Sequence, residues 1–365
     1  MDKVPLARPV IDDEMVKAAS DALRNERLVM GESVFKFEEE FARYIGVDHA
    51  VSVSSGTDAL ILALLALNVR AREVITTPLS FVATAASVVH AGGTPTFADI
   101  SDRDYNLDPQ EVAGKVLRGT AAVLPVDLYG HPARFDELAE SAGDKVKMIE
   151  DAAEAHGAMY RGRKAGSLGH VGCFSFYSTK NMTVGGDGGM VTTNDKRVAD
   201  DIRKLRDCGR VSRYEHDVFG FTSRLNTANA AFGRVQLKHL DEWNERRREI
   251  AAQYHRRLRG LARVVLPPMG DQEVRPAFYV FAIRCEDRDA LARHLGDNGI
   301  ESAVHFPPIH LQPVFREAYG FSPGEYPKAE AAAEHMLSIP MFPGLTAPQV
   351  DFVSDKIIEF YGGRR

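Results

Sequence analysis

The chain has 365 residues, 44% hydrophobic and 26% charged, with 45 basic against 51 acidic side chains and a net charge of −6. That length exceeds one simple core and points to two domains, and the mild acidity argues against the concentrated basic face that nucleic-acid binding requires. Cys173, Cys208 and Cys285 form neither a disulfide framework nor a CxxC clip, and the most apolar run, residues 59–67, is far shorter than the roughly 20 residues of a membrane span, so a soluble, cytoplasmic protein with no nucleic-acid or membrane partner is expected. The first five residues lack the apolar core of a signal peptide.

From residue 48 to residue 150 short apolar runs alternate with helical patterns. The order is strand 51–54, helix 58–68, strand 73–77, helix 81–91, strand 96–99, a helix opening at Asp108-Pro109, strand 121–127, helix 134–142 and strand 146–150. Most of these strands are apolar throughout rather than alternating, as parallel strands covered on both faces are, which makes the architecture α/β. The rhythm then changes. Strands 171–177 and 189–193 are separated by a loop too short for a crossover helix. A long helix, 228–259, places Phe232, Val235, Leu237, Leu240, Trp243 and Ile250 at helical spacing and reads as a spine between two domains. Its basic run Arg246-Arg247-Arg248 reads as a solvated face. Strand 278–284, helix 288–298, strand 302–305 and two further helices complete a smaller α+β unit. The expected division is a large domain with an N-terminal helical segment at 1–245, and a small domain at 246–365.

In an open α/β sheet ligands bind beyond the carboxyl ends of the strands, so the residues that follow each strand carry the chemistry. Ser54-Ser55-Gly56-Thr57-Asp58 opens a helix and offers backbone N–H groups, hydroxyls and a positive dipole end to a phosphate; an ordinary helix cap explains the same residues. Glu150-Asp151 ends a buried strand, where an acid needs a partner such as a protonated ring nitrogen; a helix cap is the other reading, and without a His/Cys cluster at ligand spacing no metal is expected. Lys180 lies in the short loop near Gly185-Gly186-Asp187-Gly188-Gly189, where partial desolvation favours the neutral amine and Schiff-base chemistry; a surface hairpin lysine is the plainer alternative. A phosphate cradle, a buried acid and a lysine at the ends of one sheet match the three anchors of a pyridoxal-phosphate site.

With those residues in view, SSGTDAL (54–60), EDAAEAHGA (150–158), FSFYSTKN (174–181), GGDGGMVTTND (185–195), VHFPPIHLQP (304–313) and YPKAEAAAEHMLSIPMFPGLT (326–346) resemble the DegT/DnrJ/StrS aminotransferases of fold-type I, in the right order and over nearly the whole chain. The resemblance implies a mostly parallel seven-stranded sheet flanked by helices. It also implies pyridoxal 5'-phosphate as cofactor, and transfer of an amino group from L-glutamate, leaving 2-oxoglutarate, to a 3-keto or 4-keto sugar carried by a nucleotide. In that reading Lys180 holds the cofactor as a Schiff base and shuttles the proton, and Asp151 pairs with the pyridine nitrogen. Ser55, Gly56, Thr57 and Ser175 hold the phosphate, Phe81 covers the ring, and Glu154 lies near its phenolic oxygen, at a position that often carries Gln or His in the family. Thr222 stands where many members have an Asn that reaches the partner subunit's phosphate, with Asn226 or Asn229 as substitutes. Arg224, His305 and Tyr177 face the substrate; a dimer-interface ion pair for Arg224 and a structural role for His305 are equally open. His156 and His310 are taken as structural. A homodimer with shared sites is implied. Amination of a keto-cyclitol and sugar dehydration are the competing reactions on this scaffold, and a non-catalytic regulator is the competing class.

Overall fold

The computed structural model describes residues 3–362. In chain order, α1 (Asp13–Asn25) and α2 (Glu32–Ile45) precede β1 (His49–Val53), α3 (Gly56–Ala66), β2 (Glu73–Thr76), α4 (Ala83–His90), β3 (Thr94–Phe97), α5 (Pro109–Ala113), β4 (Thr120–Leu124), α6 (Phe135–Ala142) and β5 (Lys147–Asp151). Then come β6 (Met159–Tyr160), β7 (Arg163–Lys164), β8 (Val171–Ser175), β9 (Gly189–Thr193), α7 (Lys196–Leu205) and the 32-residue α8 (Thr227–Leu258). The chain continues with β10 (Val264–Val265), β11 (Val274–Arg275), β12 (Phe281–Cys285), α9 (Arg288–Asp297), α10 (Pro313–Tyr319), α11 (Pro327–His335), β13 (Met336–Ile339) and α12 (Ala347–Phe360).

The central sheet has seven strands in the order β1-β9-β8-β5-β4-β2-β3, as expected. β9 runs antiparallel to both neighbours and the other six are mutually parallel. The carboxyl ends of β1, β5 and β8 therefore share one edge with the amino end of β9, and the segments after residues 53, 151 and 175 emerge side by side. Two three-stranded sheets are added, β10-β12-β13 and β11-β6-β7.

The long helix forms as its periodicity predicts. Asn226 caps it by accepting from the N–H of Asn229, and His255, Arg256 and Arg257 sit at its negative dipole end. Its first half packs Ala230 and Leu240 with Phe37, Phe41 and Phe174 in one core; its second half packs Ile250, Tyr254 and Leu258 with Phe281, Ile283 and Ile357 in another.

Several expectations are corrected. Residues 302–305 make no strand; Ala303 forms only an isolated bridge to Ser338, on β13, a strand the sequence reading missed inside an Ala-rich helical pattern. Among the described residues three α-helices, not two, follow residue 305. Arg247 is not solvated: it is 3% exposed and donates to the carbonyls of Phe278, Tyr279 and Met341. Val4 pairs with Ile300 and is buried in the C-terminal core. Among the described residues no helix is long and apolar enough to cross a membrane.

Candidate active site

A cavity of about 390 Å³ opens where β1, β5 and β8 end, lined by Ser55, Gly56, Thr57, Asp151, Glu154 and Lys180 together with Ser175, Tyr177, Phe81 and His305. Ten residues singled out from sequence thus meet in one place, although they span positions 55 to 305.

The α3 end of the cavity is built by sequence-local rules. Ser55 is the N-cap, its Oγ accepting from the N–H of Asp58 at 3.0 Å, which leaves the N–H groups of Gly56 and Thr57 open in the first helical turn. Gly56 is required by packing: a Cβ there would stand 2.6 Å from the Cβ of Ser175. Capping by the Ser55 side chain leaves these N–H groups open, so the cap and phosphate readings of this segment do not exclude one another.

β5 delivers the acid. Successive strand residues point to opposite faces, so Glu150 turns away and accepts from the N–H groups of Gly166, Leu168 and Gly169, while Asp151 faces the cavity. Asp151 Oδ2 accepts from Thr84 Oγ1 at 2.8 Å and Oδ1 from the N–H of Ala153. Burial raises its carboxyl from 3.8 to about 6, partly opposed by the Thr84 and Ala153 hydrogen bonds and by the charge of Lys180.

Lys180 follows β8 and is not a surface lysine, its side chain being 12% exposed. Nζ stands 3.1 Å from Glu154 Oε1 and 4.2 Å from the ring centroid of Tyr279. Glu154 Oε2 accepts from the N–H of Tyr129 at 2.9 Å. The expected effect of desolvation on Lys180 is reversed here: burial does work against the ammonium, but Glu154, Tyr279 and Asp151 outweigh it and hold the amine above its ordinary value.

The remaining walls come from Phe81, whose ring is 5.9 Å from that of Phe306, and from His305, whose Nδ1 is 2.9 Å from Ser338 Oγ. Thr222, Arg224 and Asn226 do not line this cavity. Thr222 is exposed near Cys208, Arg224 is ion-paired with Asp207 in its own chain, and the Asn226 side chain is engaged in capping α8. His156 is buried between Phe174 and Phe176, its pKa pushed down to about 3 by burial and then by Lys180, and His310 pairs with Glu330 away from the cavity.

Sequence reasoning missed Thr84, Thr179 and Tyr279. Thr84 sits in the first turn of a helix already placed beside the sheet edge, so its spacing from Phe81 was a usable signal. Tyr279 carried none: it arrives through Arg247, 32 residues earlier, and through its own N–H, which donates to Tyr129 O.

The residues present fit pyridoxal phosphate: a largely buried lysine in an open cavity, a buried carboxylate for a ring nitrogen, a helix N-terminus cleared of side chain by Gly56, and apolar walls at Phe81 and Val126. Comparison with known proteins agrees. Residues 9–358 match the model of the DegT/DnrJ/EryC1/StrS aminotransferase family, whose aminotransferases depend on this cofactor. A Streptomyces venezuelae dTDP-3-amino-3,4,6-trideoxy-alpha-D-glucose transaminase is 41% identical, covering 95% of this chain and 93% of its own length. A Geobacillus stearothermophilus protein named a pleiotropic regulatory protein is 40% identical over 95% and 94%. The crystal structure of S. venezuelae DesV in complex with a ketimine intermediate superposes with a TM-score of 0.94 at 39% identity, covering 99% of each chain. The chain belongs to the DegT/DnrJ/EryC1/StrS aminotransferase family.

Proposed function

We propose that the protein binds pyridoxal 5'-phosphate at Lys180 and transfers an amino group from L-glutamate to the ketone of a nucleotide-linked 3-keto or 4-keto sugar, yielding the amino sugar and 2-oxoglutarate. The observation that carries the reading is that Lys180, Asp151 and the N-terminus of α3 converge on one cavity although 125 residues separate the last from the first (180 against 55). The transaminase name of the Streptomyces relative supports the sugar substrate.

When bound, the cofactor supplies an aldehyde and an electron-withdrawing ring. Asp151 holds a proton on the ring nitrogen, and Thr84 keeps that carboxylate aimed. Ser55, Gly56, Thr57 and Ser175 hold the phosphate, Phe81 covers one face, and Lys180 moves the proton at the substrate carbon. Tyr177 and His305 are assigned to the sugar. Thr222, Arg224 and Asn226 are assigned to a second copy of the chain, since none of them reaches its own cavity; a homodimer in which each copy completes the other's site accounts for their position and exposure. Two units meeting within α8 near residue 245, and a cytoplasmic setting, belong to the same proposal.

Purified enzyme loaded with cofactor is incubated with L-glutamate and UDP-, dTDP- or GDP-keto sugars while 2-oxoglutarate is measured. Release that depends on one of these sugars is expected; none with any keto sugar, against release with a keto-cyclitol, would replace the substrate class. A protein that binds cofactor and yields no 2-oxoglutarate with any acceptor would favour the regulatory reading that the Geobacillus name raises. Sedimentation of a stable, active monomer would remove the shared-site assignment.

A further inference from the structure

We propose that Glu154 and Tyr279 together stabilise the ammonium form of Lys180 when its amine is not joined to the cofactor, so that a proton it takes up stays in the pocket until it is delivered. This rests on Lys180 being the attachment residue, and it concerns the half of the exchange in which the cofactor carries the amino group and the lysine is free.

Both partners are fixed independently of the lysine. The Glu154 carboxylate is anchored by the N–H of Tyr129 at 2.9 Å, leaving its other oxygen 3.1 Å from Nζ. The Tyr279 hydroxyl lies 3.2 Å from Thr179 Oγ1, its N–H donates to Tyr129 O at 2.9 Å, and its carbonyl accepts from Arg247 at 3.2 Å. Its ring face is thereby presented to the ammonium at 4.2 Å, within cation–π range. The same Tyr129 backbone thus anchors the carboxylate through its N–H and the ring through its carbonyl, so the spacing of the cage is set by one residue.

A lysine enclosed to this degree sheds its proton unless a counter-charge is supplied. The other ionisable groups around it are Asp151, Asp187, Tyr129, His156, His305 and Arg247. Both histidines are lowered, by burial first, so they add no cation in competition at neutral pH. Asp151 is engaged by Thr84, and Asp187 lines the cavity without pairing with Lys180, which leaves Glu154 as the carboxylate bonded to it. A carboxamide at 154 accepts the same hydrogen bond without cancelling the charge. In the transfer itself the neutral amine of Lys180 takes the proton from the cofactor's amine-bearing carbon, the electron pair of that C–H bond passing into the ring, and the ammonium so formed gives up one N–H as that pair forms a C–H bond at the substrate carbon. The lysine is left neutral and able to attack again.

The test uses full-length enzyme loaded with pyridoxamine phosphate, in which Lys180 is free. Acetylation of Lys180 by acetic anhydride is followed by peptide mass spectrometry between about pH 6 and 11. In Glu154→Gln the half-labelling pH is expected to fall by about one unit or more, an acceleration of roughly tenfold at a fixed pH below the midpoint. Tyr279→Phe keeps the wild-type midpoint and Tyr279→Leu lowers it, because the ring face and not the hydroxyl meets the ammonium. Coincident midpoints for wild type and Glu154→Gln overturn the proposal. Borohydride reduction of the aldehyde-loaded enzyme, mapped by peptide, tests attachment separately. Fixation at Lys180 with coincident midpoints removes only the cage, whereas fixation elsewhere removes the reading on which it rests.

Discussion

Gly56 and Ser175 are packed so closely that a Cβ on the glycine would lie 2.6 Å from the serine Cβ and 3.2 Å from both its Cα and its Oγ. The contact welds the first turn of α3 to the end of β8, and so fixes the distance between the N-terminus of α3 and Lys180, five residues beyond Ser175.

Gly56→Ala is therefore expected to cost about 1–3 kcal/mol by overpacking and to weaken cofactor binding more than it lowers the melting temperature. Adding Ser175→Gly removes the nearest atom and is expected to restore part of the melting temperature but not the cofactor affinity, since the Ser175 hydroxyl is itself assigned to the phosphate. Absorbance titration with pyridoxal phosphate and thermal melts check this; unchanged affinity in the single variant would show that the helix end does not bear on the phosphate.

Lys180→Ala and Lys180→Arg are expected to lose the long-wavelength absorbance of the bound cofactor and to drop turnover by at least about 10³-fold. An absorbance scan and the 2-oxoglutarate assay read the two effects separately. Cofactor still fixed by borohydride at full stoichiometry in either variant would contradict the assignment.

Asp151→Asn separates stability from catalysis. The carboxyl is raised from 3.8 to about 6 by burial, so the folded state holds its proton more tightly than the unfolded chain does. The stabilisation belonging to the protonated form is fully present below about pH 4 and is lost as pH rises through about 6. Asparagine has no such dependence. In cofactor-free protein the variant should therefore match wild type near pH 4 and exceed it at pH 7 by at most about 3 kcal/mol, while its turnover falls steeply. Urea unfolding at the two pH values and steady-state assays check both halves, and wild-type turnover would count against a role at the ring nitrogen.

Thr84→Val removes one of the bonds that hold the Asp151 carboxylate down. The acidic limb of the kcat/KM profile is expected to move up by about 0.5–1 pH unit, with little change in turnover above it. Thr84→Ser, which keeps the hydroxyl, should restore the wild-type limb. An unmoved limb in the valine variant would mean that Asp151 does not set it.

The elements that were legible share a cause. Apolar strands 73–76, 120–124 and 147–151, and the stripe Phe232, Val235 and Leu240 on α8, announce themselves because periodicity is a local property. So do Ser55-Gly56-Thr57 and Asp108-Pro109, whose capping chemistry acts within one turn. β13 was hidden, since Met336–Ile339 follows directly on an alanine-rich helix and becomes a strand only by pairing with β12. Arg247 was misread for the same reason: its partners are carbonyls 31 and more residues away, and nothing beside it in the chain marks them.

By itself the sequence determined the α/β class, the cap that opens α3, the acid at the end of β5 and the lysine after β8, because each depends on neighbours a few positions away. Only the tertiary structure decided that Glu150 turns from the cavity while Asp151 enters it, that Tyr279 lies under Lys180, and that Glu154 reverses the effect of burial on that amine. Strand direction and order bring these groups together across as many as 128 positions (151 against 279), and a field acting at 3 or 4 Å depends on separation in space, whatever the distance along the chain.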